Sequence, residues 1–218
     1  ALVMAQENNV KEIEIALPEI VSEPVDLQVE DLWIRSTVSG GTVIRFEVGN
    51  AAATVRESML DVGSSDVVIE DINFVWQVPG GSVSGGSLFD INENTLLRLT
   101  DCSVTVSNPN LRDSVYAFDV MADSISAGGL AAGEPEVQIE LNNVVVRGEI
   151  TMLHMDEAAK LGLDWDNGLL AVSGAMIDTG GSRSEDVDSR IDLELWRVTV
   201  HASAGIFRMR AAANTPYP

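Results

Sequence analysis

The sequence predicts an all-β fold of stacked coils, and three observations predict it. First, Val67–Trp76, VVIEDINFVW, alternates apolar residues up to Ile69, skips two positions at Glu70–Asp71, and resumes at Ile72 and Phe74. A flat strand keeps period two throughout, so the skip marks a corner between two short strands. Second, the same skip recurs along the chain, and its second position is usually Asp, Asn or Gly. These types tolerate a left-handed backbone in which other side chains clash. Third, the 18 glycines are spread along the 218 residues, as in a chain of many turns.

The first element is Val10–Leu17, where Ile13 and Ile15 alternate against Glu12 and Glu14; Pro18 and Pro24 then punctuate the chain. In Val25–Ser36, Leu27 and Val29 lead to a corner at Glu30–Asp31, then Leu32 and Ile34. Val67–Trp76 turns at Asp71, Leu97–Val106 at Asp101, and Ile139–Val146 at Asn143. Leu170–Ile177 turns at Gly174, and Leu193–Val200 turns at Arg197, which breaks the pattern and marks an altered last corner. The predicted structural corners are therefore Asp31, Asp71, Asp101, Asn143 and Gly174.

A second ladder, of third strands, reads Thr42–Val48, Ser87–Ile91, Tyr116–Val120, Glu149–Met155 and Gly205–Met209, and it is missing or degenerate after Gly174. One coil is strand, corner, strand, turn, strand and longer loop, with insertions placed in the loops. No coil can bury its inner face alone, so stacking makes the core continuous. The chain is thus expected to form five to six coils in one domain over residues 1–218, with frayed ends at 1–9 and 211–218. It is expected to be a piece of a longer protein. Among the insertions, Ala51–Ser65 is read as partly strand. Asp156–Gly168 is read as opening with a helical turn capped by Asp156.

Composition excludes several partners. With 34 acidic and 13 basic residues, the formal charge of −21 repels nucleic acid and anionic lipid, which need clustered cations. It disfavours an acidic polysaccharide unless Ca²⁺ intervenes. No apolar run approaches the roughly 18 residues needed to span a bilayer. Cys102, alone in the sequence, excludes an internal disulfide and sits in the inward register as a small hydrophobe.

The corner motifs at Asp31, Asp71, Asp101, Asn143 and Gly174 resemble the right-handed parallel β-helix of the pectate-lyase-like superfamily. The resemblance covers about Val10–Met209, and it implies three strands per coil with a tight Asn-type turn joining two of them. The segments LPEIVSEP, IELNNVVVRGE and LDWDNGLLAVSGAMIDTGG also resemble β-helix modules of large bacterial proteins, some of which carry a serine/threonine kinase domain. This chain has no HRD, no DFG and no Gly-rich loop after a strand. The resemblance implies an extracellular, cell-surface or periplasmic setting.

Candidate chemistry is sparse. Lyases of the superfamily use acidic Ca²⁺ ligands with a basic Arg or Lys, and its hydrolases use clustered Asp residues. The sequence has no NTD, DD, GHG or RIK signature, so no catalytic residue is assigned. His154 falls opposite Met155 and reads as solvated, and His201 reads as a turn residue. Asp164 and Asp166, alternating before Gly168, suit Ca²⁺; a plain acidic turn is the simpler reading, and no other cofactor is indicated. Glu185, Asp186 and Asp188 read as a solvated charge run. Trp33 and Trp76 read as outward aromatics suited, with Trp196, to stacking on sugar rings; cover by neighbouring loops is the competing reading.

The expected function is a non-catalytic β-helix module of a larger exported bacterial protein. It would act as a rigid spacer or recognition surface, with polysaccharide as the candidate ligand. Self-association or contact with neighbouring domains is expected from open solenoid ends. The competing expectations are a divergent polysaccharide lyase or glycoside hydrolase and, should the corners be coincidental, an all-β sandwich.

Overall fold

The structure is a computed structural model, and it describes residues 10–27, 29–47, 57–63, 66–79, 85–92, 95–111, 114–120, 137–156, 160–180 and 190–210. Its 18 strands all pair in parallel. Seven successive coils each contribute one strand to a seven-stranded sheet and the rest to an eleven-stranded one. This is a parallel β-helix.

The first coil holds β1 (Glu12–Ile15), β2 (Glu19–Ser22) and β3 (Val25–Leu27). The second holds β4 (Leu32–Ser36), β5 (Thr42–Phe46) and β6 (Glu57–Val62). The third holds β7 (Asp66–Glu70), β8 (Ile72–Gln77) and β9 (Gly86–Ile91). The fourth holds β10 (Thr95–Thr100), β11 (Ser103–Ser107) and β12 (Val115–Val120). In the last three coils the first two strands run on through the corner. They are β13 (Val137–Gly148) with β14 (Thr151–Met155), β15 (Lys160–Val172) with β16 (Ile177–Gly180), and β17 (Arg190–Ala202) with β18 (Phe207–Arg210).

Period two selects what faces the lumen. One column of paired residues runs Ile13, Ile34, Ile69, Leu99, Leu141, Trp165 and Leu195 through all seven coils. Phe46, Phe74, Phe89 and Phe118 form a continuous aromatic row inside, with centroids 5.2–6.4 Å apart and Phe74 meeting Phe89 edge-to-face. Cys102 is buried in the same core, and burial pushes its thiol up to about 12.

Asp71, Asp101, Asn143, Asn167 and Arg197 all have φ between 53° and 56° and share one corner column. In the second coil Gly41, at φ 84°, takes the equivalent place just before Thr42, which pairs with Ile72. The corner side chains also form a ladder. Asn143 Nδ2 donates to Asp101 Oδ1, and Asn167 Nδ2 donates to Asn143 Oδ1 at 3.2 Å. Arg197 leaves this ladder and forks onto Asp166 at 2.7–3.0 Å.

Two expected corner residues belong elsewhere. Asp31 does have φ 54°, but it precedes β4, which pairs with β7, so it turns the chain from the third strand of one coil to the first of the next. Gly174 lies between the second and third strands of its coil, bonded to Ile150 O at 2.9 Å. A Cβ there would stand 2.6 Å from Ile150 O, so close approach of backbone requires glycine, with no left-handed φ. The coil count rises from five or six to seven accordingly. Thr42–Phe46 is a second strand rather than a third, and the third strand expected to be missing or degenerate after Gly174 is present as the short β16. β15 already begins at Lys160, within the segment read as an insertion; residues 157–159, where its helical turn was expected, lie outside the described residues. The ends at 1–9 and 211–218 lie outside them as well.

Candidate functional site

The outward side of the first strands carries a shallow groove of about 340 Å³. Alternation sends every second residue outward, and parallel register lines these residues up from coil to coil. One outward column runs Arg98, Glu140, Asp164 and Glu194. Two residues further along each strand, a second runs Thr100, Asn142, Asp166 and Trp196. Arg98 Nε donates to Glu140 Oε2 at 2.6 Å, and this bond raises the guanidinium above its ordinary pKa. Trp196, at the end of the groove, is 70% exposed. Carboxylates and an amide beside an exposed indole suit a sugar: the polar groups bond hydroxyls, and the ring covers an apolar sugar face.

A second polar column runs the length of the seven-stranded sheet. Asp26, Asp61, Asp90, Asp119, His154, Asp178 and Arg208 pair in succession from β3 to β18. Asp61 is pushed above its ordinary pKa by burial and by the Asp26 charge, against a bond from Asn92. His154 is only 1% exposed, contrary to the solvated position expected for it. Its Nδ1 lies 2.7 Å from Asp119 Oδ1, and its ring stacks on Tyr116 with centroids 4.1 Å apart. Arg210 Nη2 meets Nε2. A guanidinium only donates, so toward Arg210 Nε2 accepts and Nδ1–H donates to Asp119; Asp156 Oδ1 also lies 3.4 Å from Nε2. Arg208 and Arg210 both bond the buried Asp178 carboxylate. An Asp–His pair can orient a general base, yet here the basic nitrogen is occupied by Arg210 and the ring is covered. Among the described residues the arrangement compensates charge, and the His154 ring is buried. The signal missed in the sequence is the repeat Leu60-Asp61-Val62, Phe89-Asp90-Ile91, Phe118-Asp119-Val120.

Comparison of the chain with protein-family models, curated proteins and solved structures finds no match.

The residues singled out in the sequence do not converge on one site. Trp76 is 1% exposed, in the inward register with Ile72 and Phe74, and cannot stack on a sugar. Trp33 is outward and half-buried, but the Arg35 guanidinium lies 4.4 Å over its ring and occupies one face. Asp164 and Asp166 are both outward on β15. Asp164 accepts from Gln138 Nε2 at 2.8 Å, and Asp166 is held by the Arg197 fork. Calcium takes about six to eight oxygen ligands. Among the described residues no group of three or more His, Cys, Asp or Glu side chains is arranged to hold a metal ion. His201 is exposed within β17, and Glu185, Asp186 and Asp188 lie outside the described residues. Among the described residues no helix is long and apolar enough to cross a membrane.

Proposed function

We propose that this chain is a non-catalytic β-helix module of the pectate-lyase-like type, working as a rigid shaft within a larger exported bacterial protein. Its recognition surface is the groove beside Trp196, and its ligand is a neutral polysaccharide. The observation that supports this most is the 70% exposed indole closing a groove lined by Glu140, Asn142, Asp164 and Glu194. The charge of −21 favours a neutral chain over a uronate polymer. The shared corner column of Asp and Asn residues supports the superfamily assignment.

A hydrolase is the second reading. Glu140, Asp164 and Glu194 stand on successive coils, and strand spacing separates such rungs by roughly 4.8 Å. A carboxyl pair in a retaining glycosidase is about 5–5.5 Å apart. One experiment addresses both readings: incubate the protein with a panel of neutral polysaccharides, measuring binding by affinity electrophoresis and new reducing ends by colour reaction. Retardation abolished by Trp196→Ala and kept in Trp33→Ala, with no new reducing ends, is the expected result. New reducing ends lost in Glu140→Gln would establish the hydrolase instead. No retardation by any polymer would leave only the shaft.

A further inference from the structure

Both ends of the solenoid leave strand edges and lumen residues uncovered by any other described strand. β1, β2 and β3 each have one neighbour, and so do β17 and β18. At the first coil a cavity of about 430 Å³ opens among Ile13, Ile15, Ile20, Val25, Leu27 and Phe46. At the last coil Leu195, Phe207 and Met209 are exposed, Met209 to 77%. A long edge strand with apolar flanks is a template for pairing.

Charge decides what pairs with it. The first coil carries Glu12, Glu14, Glu19, Glu23 and Asp26 against Lys11. The last carries Arg190, Arg197, Arg208 and Arg210 against Asp192 and Glu194. First coil against first coil brings two net acidic coils together, and last against last two net basic ones, although neighbouring coils already pair several of these charges, Arg35 with Glu12 and Glu14 and Asp178 with Arg208 and Arg210. First against last is complementary.

The register agrees with this at Arg208 and opposes it at Glu194, which would meet Glu12. Several columns that end in the last coil begin in the first. Extended by one rung, Leu195 stacks on Ile13, Val200 on Ile20, Phe207 on Val25 and Met209 on Leu27. Arg208 then stands over Asp26, an opposite charge at the point where the outward column meets its own start.

We propose that a second copy of this chain docks its first coil on the last coil of another, continuing both sheets and the lumen across the junction. Such a contact is heterologous. A filament forms when the rotation between copies does not close.

The test uses the full chain and two variants at exposed positions, Asp26→Lys to block the first coil and Met209→Glu to block the last. Circular dichroism confirms that both fold, and sedimentation velocity follows association from micromolar to near-millimolar concentration. The wild type is expected to grow beyond dimers with concentration and to shrink in high salt. Each variant alone is monomeric, and an equimolar mixture forms a dimer and nothing larger, because each partner keeps one intact end. A wild type that stays monomeric throughout, a variant that still associates alone, or a mixture that forms no dimer would each overturn the proposal.

Discussion

Asp71 sits at φ 56° in the middle of the corner column, held from both sides. Its N–H donates to Thr100 O at 3.1 Å, and its carbonyl accepts from Thr42 N–H at 3.0 Å, so the neighbouring coils keep it from relaxing. The left-handed conformation costs an ordinary L-residue about 1–2 kcal/mol, less for Asp and Asn. Asp71→Ala should therefore cost about 1 kcal/mol, and Asp71→Val about 2 kcal/mol or more, because branching at Cβ makes the region an outlier. Asp71→Asn should be neutral. Asp71→Gly removes the clash but adds about 0.5–1 kcal/mol of unfolded-chain entropy, leaving a change near zero. In a chain of 218 residues, 1 kcal/mol moves Tm by about 2–4 °C. Thermal unfolding followed by circular dichroism should rank the variants Asn and Gly above Ala, and Ala above Val. A Gly variant as unstable as Val, or an Ala variant as stable as Gly, would refute the backbone role and return attention to the carboxylate.

Other positions yield sharper contrasts. Gly168→Ala places a Cβ 2.0 Å from Trp165 Nε1 and 2.8 Å from Val144 O. Overpacking of this kind costs about 1–3 kcal/mol, and Trp165→Phe, which removes Nε1, should return part of the lost Tm. Because the folded Asp61 carboxyl lies above its ordinary value, the native state holds that proton more tightly, and stability falls as pH rises through the window above 3.8. Asp61→Asn should raise Tm by about 1–2 °C at neutral pH, as expected for removing facing like charges, with no gain at about pH 3, where both states are protonated; an equal gain at both would sink the charge argument. The Cys102 thiol, buried and pushed up to about 12, should resist a disulfide reagent at mildly alkaline pH until denaturant is added, and immediate reaction would contradict its core position.

The corners at Asp71, Asp101 and Asn143 were legible because two signals coincide there: a break in period two and a residue type suited to positive φ. Asn167 lacked the first signal. Gly168 stands where Ile72, Cys102 and Val144 supply the first apolar residue after the turn, and the Trp165 indole fills that space. The skip is thereby hidden inside what reads as an acidic run. Asp31 shows the converse, since a break in period reports that the chain turns without saying which corner of the coil it turns. Trp76 was misplaced because its aromatic chemistry outweighed its parity with Ile72 and Phe74. The groove beside Trp196 emerges only when coils separated by loops of unequal length are set in register, and unequal loops also hid the Asp column.

The Trp196 groove and the last coil's open face are close neighbours, so one variant can disturb both. By the same register Trp196 would stand over Glu14 of an adjoining copy, and Glu194 over Glu12. Loss of glycan binding in Trp196→Ala would then carry two meanings, a missing stacking surface or a disturbed junction. Met209→Glu separates them. Met209 lies on β18, in the other sheet, and lines no part of the groove. A monomeric Met209→Glu that binds glycan as the wild type does would assign the groove to a single copy. A Met209→Glu that loses binding while keeping its fold would mean that the ligand is held across the junction, with Glu12 and Glu14 of the next copy completing the site.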